Sequence, residues 1–181
     1  MGLMKLAHLA MTKNKTKTKT PRRTTKALVI AGLVFNLFWL VAVLGQNDWL
    51  WLLCLTLLCY WGWYPQSLPF VLPLALLGCA MDSGLLWLGV YQFDGGLIPV
   101  WLGVLWLGFT SFLWFIRHNL RRFSTLILLI AGSLGGAGSY LAGVQLGVIA
   151  WPLGTKITFL MVSSCWLAFT VLILMWMRCL R

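Results

Sequence analysis

The chain has 181 residues, 61% of them hydrophobic and 9% charged, with a mean hydropathy of +0.90. Soluble domains carry roughly 25% charged residues, so this composition excludes a water-soluble globule and implies a multi-pass membrane protein. The net charge of +11 does not mark a nucleic-acid surface, because eight of the fourteen basic residues (Lys5, Lys13, Lys15, Lys17, Lys19, Arg22, Arg23 and Lys26) crowd into the first 26 positions and leave no folded basic face.

Residues 1–26 read as a disordered, Thr-rich basic tail with no apolar periodicity. The first apolar run follows directly. It is too long for the core of a signal peptide, and VAVLGQ lacks a small-residue cleavage pattern. It is expected to stay as an uncleaved first span. Six apolar segments are predicted as helices in a transmembrane domain over 27–178: 27–45, 48–63, 69–91, 97–116, 123–144 and 157–177. Most reach the ~20 residues that a helix needs to cross ~30 Å of hydrocarbon. The second is marginal, and Trp49, Trp51, Trp61, Trp63 and Tyr64 at its ends suit interfacial anchoring.

Charge placement orients these spans. With the tail inside, thirteen basic residues fall on the inner side, and Lys156 with Asp48 and Asp94 on the outer side. The expected fold is an all-α membrane protein, a compact bundle of six transmembrane helices with both termini cytoplasmic. The expected partners are the lipid bilayer and anionic phospholipid headgroups at the cytoplasmic face, with no nucleic acid.

Asp82 is the only acidic residue inside an apolar segment. A carboxylate there costs about 2.5–3.5 kcal/mol on insertion scales, which marks it as a candidate site residue. Counted from the cytoplasmic end it lies ~20 Å deep, and Asn36 lies ~14 Å deep. Ser133 and Ser139 bracket that layer in the fifth segment, and Ser163 and Ser164 fall near it in the sixth. Asp82, Asn36, Ser139, Tyr140, Ser163 and Ser164 therefore form a candidate ligand-binding layer, with hydroxyls, an amide or water holding the carboxylate. The competing readings are a packing hydrogen bond, a proton or cation site, and a general acid or base.

Arg117, His118, Arg121 and Arg122 in the RHNLRR stretch form a candidate headgroup site, although topology charge alone accounts for them. Asp94-Gly95-Gly96 reads as a tight turn. The fifth segment holds Gly132 and Gly136, and Gly135, Ser139 and Gly143, at four-residue spacings. Close helix packing is favoured over a groove wall for them. The five cysteines form no C-x-x-C and no His stands at metal-ligand spacing, so no metal site or cofactor is expected.

Several stretches resemble the bacterial inner-membrane family Domain of Unknown Function 2878. They are Phe35, Trp39 and Val43-Leu44-Gly45; Asp82-Ser83 with Leu85-Leu86, Gly89 and Phe93; Trp101, Leu105-Trp106 and Phe109-Thr110; and Gly135-Gly136, Ser139-Tyr140 and Ala142-Gly143. The chain departs from that family's pattern at Trp114-Phe115, where an Asn-His pair stands in the family, at Asn36 in place of Gln, and at Ala137 in place of Pro. The missing His weakens any catalytic Asp–His pair. The resemblance implies a bacterial inner membrane and an unassigned activity. The expected function is a non-enzymatic one: binding or moving a small or lipidic molecule at a polar site around Asp82. The alternatives are an intramembrane lipid-modifying enzyme and a scaffold or partner subunit.

Overall fold

A computed structural model describes residues 24–179. The expected basic tail lies outside the described residues except for its last three positions. Among the described residues there are six α-helices: α1 Thr25–Gly45, α2 Leu50–Trp63, α3 Leu68–Trp87, α4 Val100–Leu120, α5 Thr125–Gln145 and α6 Thr155–Cys179. A 3-10 turn, Pro65–Ser67, joins α2 to α3. The chain is thus all-helical, as expected, and five of the helices are long and apolar enough to cross a membrane.

The second helix is the exception. Its 14 residues reach ~21 Å, short of the ~30 Å hydrocarbon core. Tyr64 and Pro65 end it, because proline supplies no N–H to continue the ladder. The fourth helix runs past its predicted end. Arg117 and His118 belong to its last turn rather than to a loop, where positive charge suits the carbonyl end of the helix.

The third helix stops at Trp87, short of its expected end at 91. Gly89 takes φ +68°, Val90 N–H donates to Leu85 O at 3.0 Å, and Gly89 N–H donates to Leu86 O at 3.0 Å. That pair of bonds closes a helix through a left-handed glycine. The same device ends α5, with Gly147 at φ +74°, Val148 N–H to Gly143 O and Gly147 N–H to Val144 O, both 2.9 Å. Leu88-Gly89-Val90 and Leu146-Gly147-Val148 thus end two helices alike. The segments that follow pair through one antiparallel bridge, Gln92 with Ala150, with both bonds at 2.9 Å. The two halves of the bridge share the 58-residue offset that separates Asp82 from Tyr140.

The fourth helix runs through the middle. Phe35 stacks on Phe112 and Phe38 lies over Gly108, so α1 packs antiparallel to α4. Phe70 meets Trp114 and Trp106 lies over Gly78, so α3 does the same. Tyr60 and Trp61 reach Ser111 and Tyr64 meets Phe115, so α2 runs parallel to α4 and returns the chain between the two ends. The α5–α6 hairpin completes the bundle from the other side, where Trp106 stacks on Trp166 at 5.3 Å. Asp48 and Asp94 lie in connections at one end, and Arg117, Arg121 and Arg122 lie at the other. Large apolar side chains such as Leu33, Leu58, Leu76, Leu126 and Leu160 stand exposed around the perimeter, which suits a hydrocarbon solvent.

Candidate functional site

Asp82 is 0% exposed, and three side chains hold its carboxylate. Tyr140 Oη on α5 donates to Oδ1 at 2.6 Å. Tyr91 Oη, from the connection after α3, donates to the same oxygen at 2.7 Å. Trp106 Nε1 on α4 donates to Oδ2 at 2.7 Å. An indole N–H can only donate, so Oδ2 must be an acceptor. The two short O–H···O contacts fall in the range of charge-assisted bonds. Oriented neutral donors from three segments hold the carboxyl group. Tyr91 lies outside the helices. Burial pushes its hydroxyl above the ordinary phenol range, and Asp82 beside it acts in the same direction, so it keeps its proton and donates.

The local sequence explains the geometry. Gly78 lies one turn before Asp82, and a Cβ there would stand 2.3 Å from the Trp106 ring. The missing side chain lets the indole lie flat on α3 with its N–H at the carboxylate. Trp106 then stacks on Trp166, and Trp166 fills the space above Gly136, where a Cβ would stand 2.0 Å from the ring. The hub thereby ties α3, α4, α5 and α6 together.

Beside this hub lies a cavity of about 250 Å³. Phe35, Trp39 and Val43 of α1 form one wall, and Gly135, Ser139 and Tyr140 of α5 form the other. Trp101, Leu105 and Phe109 of α4 form the floor, and Trp106 and Trp166 also border it. Two of the Asp82 donors, Tyr140 and Trp106, are thus shared with the cavity, and Asp82 itself is not in its lining. Gly135 has open space where a Cβ would project. Trp166 Nε1 is buried with no hydrogen-bond partner among the described residues. A buried donor left unmatched costs about 1–3 kcal/mol, which calls for an explanation at that point.

The residues of the predicted polar layer divide. Tyr140 reaches Asp82. Ser139 lines the cavity, and its hydroxyl donates to Gly136 O at 2.7 Å. Asn36 is exposed, and its amide donates to Gly32 O at 2.8 Å within its own helix. Ser164 is exposed and bonds Leu160 O at 2.8 Å. Ser163 is buried, and its carbonyl accepts from Ser133 Oγ at 2.7 Å. None of these four side chains bonds Asp82. Tyr91 and Trp106 are the partners that the polar-layer count passed over. Measured from the Asp94 end instead, Asp82 and Tyr140 lie five residues and Trp106 six residues, ~8–9 Å, from their helix terminus.

At the arginine end a second cavity, of about 270 Å³, lies among α3, α4 and α6. Arg117, His118, Arg121 and Gln66 line it with Phe70 and Trp114. The Arg117 guanidinium lies 3.3 Å above the Trp114 ring and donates to the Trp114 carbonyl. Arg121 Nη2 donates to Met177 O on α6 at 3.2 Å. Arg122 is exposed and takes no part in the lining. Among the described residues no cluster of His, Cys, Asp and Glu could hold a metal ion.

Residues 28–172 match the family described as Protein of unknown function (DUF2878). The match covers most of the chain, and the chain belongs to that family. No curated protein and no solved structure matches it.

Proposed function

We propose that this member of the DUF2878 family is an integral membrane protein that holds a lipid-like molecule in the groove between α1 and α5. The observation that carries the reading is the cavity between α1 and α5, lined mainly by Phe, Trp and Gly and open beside Gly135. An acyl or isoprenoid chain suits the Phe, Trp and Gly lining, and Ser139 and Tyr140 give the cavity a polar edge. Asp82 acts from behind the wall. It fixes Tyr140 and Trp106, and is a positioning residue rather than a ligand contact. In this reading the arginine end faces the cytoplasm of a bacterial inner membrane: Lys26, Arg117, Arg121, Arg122 and Arg178 lie on that end and Lys156 on the other.

Native mass spectrometry of delipidated protein tests the binding. One lipid should stay bound to the wild-type chain and be lost from Gly135→Phe, whose ring enters open space. Equal retention by both proteins would rule the groove out.

A second reading has its own support. Tyr140 stands 2.6 Å from Asp82 and borders the cavity, so its hydroxyl is placed to give or take a proton from a bound lipid. Tyr140→Phe separates the two: it keeps binding in the first reading and abolishes turnover of a bound lipid in the second. A scaffold role has less support, because Thr170 and Trp166 of the chain itself cover Gly132 and Gly136.

A further inference from the structure

We propose that the groove between α1 and α5 takes a single-chain lipid whose head carries a hydrogen-bond donor, of the class of a long-chain alcohol, with that head toward the Asp94 end. The proposal rests on the groove reading above and names its occupant.

An internal repeat shows that the groove is a departure from a common plan. Trp106-Leu107-Gly108-Phe109-Thr110 on α4 returns as Trp166-Leu167-Ala168-Phe169-Thr170 on α6. Each tryptophan lies over a glycine of the helix before it, Gly78 on α3 and Gly136 on α5. Contacts between the copies are reciprocal: Trp106 meets Phe169 at 5.0 Å, and Trp166 meets Phe109 at 5.4 Å. Such an exchange of partners marks a two-fold arrangement. The α3–α4 and α5–α6 hairpins are therefore two copies of one unit, with α3 and α5 aligned at the 58-residue offset of Asp82 and Tyr140. At that offset Gly135 and Ser139 stand where α3 has Leu77 and Met81. The open wall is a property of the second copy alone.

The dimensions select the number of chains. The lining runs from Phe35 to Val43 on α1 and from Trp101 to Phe109 on α4, ~12 Å in each case. A volume of about 250 Å³ over that length leaves a cross-section of ~20 Å². A chain of water-sized groups, ~30 Å³ each, that advances ~1.5 Å per bond has the same cross-section. The groove is thus one chain wide, and a two-chain lipid does not fit inside it.

The polar edge selects the head. Both lined stretches belong to the halves of α1 and α4 nearer the Asp94 end, and Val148 and Ile149 border the cavity after α5 ends. Phe35, Ala131 and Phe109 make the deeper end apolar, so the tail points toward the middle of the bilayer. Ser139 and Tyr140 are the polar residues of the α5 wall. Ser139 gives its hydroxyl hydrogen to Gly136 O, and Tyr140 gives its own to Asp82. A hydroxyl has one hydrogen to donate, so what both residues still offer is an acceptor. An O–H on the ligand matches them, and an ester or ether oxygen does not.

The test uses the full chain in phosphatidylcholine bilayers and a straight-chain alcohol of about ten carbons, the reach of the groove, with a photoreactive diazirine at its tail. Peptide mass spectrometry should find the label on the α1 and α5 walls. Unlabelled alcohol should compete about fivefold better than its methyl ether, the worth of one neutral hydrogen bond. A diacylglycerol, which has a hydroxyl but two chains, should leave the labelling in place. In Ser139→Ala the alcohol and the ether should compete equally. Equal competition by the two in the wild-type protein overturns the donor requirement, and a diacylglycerol that competes as well as the alcohol overturns the single chain. Either result sinks the proposal and leaves the groove standing. Labelling of the same walls that persists in Gly135→Phe removes the groove reading itself. The wild-type comparisons decide the proposal even if the variants fail to fold.

Discussion

The two sides of α5 use the same kind of residue for opposite ends. On one side Gly132 and Gly136 let α6 approach until Thr170 and Trp166 occupy the space that their side chains would need. Gly135, one residue away, projects into open space and with Ser139 faces the cavity below α1, which Gly132 and Gly136 also border. Four-residue spacing of small residues is the same on both. What separates a packing seam from a groove is whether a neighbouring helix brings a large side chain to that point, and α6 does so while α1 does not.

The largest effect should come from the hub that backs both sides. Asp82→Ala orphans Tyr91, Tyr140 and Trp106 together, and is expected to cost about 3–5 kcal/mol, the range for breaking a buried charged network. Unfolding in detergent followed by tryptophan fluorescence would measure it. A loss within 1 kcal/mol, by the usual spread of surface substitutions, would mean that the hub does not hold the helices.

Gly136→Ala comes next. Its methyl meets the Trp166 ring, which cannot retreat because Trp106 is stacked against it. Overpacking of this kind costs about 3 kcal/mol at its upper range. Gly135→Ala, one residue away, should stay within about 0.5 kcal/mol. That pair of melting curves tests the contrast between the two sides directly, and equal shifts would break it.

Asp82→Asn is expected to cost about 1–3 kcal/mol. An amide can still accept from the tyrosines, but its NH2 then faces the Trp106 N–H, so one donor loses its acceptor. Trp166→Phe is expected to cost a similar amount. It shrinks a ring that stacks on Trp106 and fills the space above Gly136, a core truncation worth about 0.5–3 kcal/mol. Full lipid retention by Trp166→Phe would take that side of the wall out of the binding reading.

Much of this was legible in the sequence. Long apolar runs and two basic clusters dictate the helices and their alternation, because a bilayer admits few other solutions. Asp82 stood out because an acid in hydrocarbon needs a reason. Tyr140 was legible too, as a hydroxyl at matching depth. Trp106 was not, because twelve tryptophans in a membrane chain read first as interfacial anchors and apolar filler. Tyr91 was hidden by the helix end: only once Gly89 turns the chain back does a residue predicted to continue α3 reach Asp82. The closeness of Gly78 to Trp106 is a packing fact with no local sequence signal.

The hub also has a consequence for biogenesis. Its parts leave the ribosome in the order Asp82, Tyr91, Trp106 and Tyr140. The carboxylate therefore enters the membrane before any of its donors, gains the first from the turn that follows it and the second from the next helix, and waits 58 residues for the last. Until α5 arrives, the half-built bundle carries an incompletely matched acid in hydrocarbon.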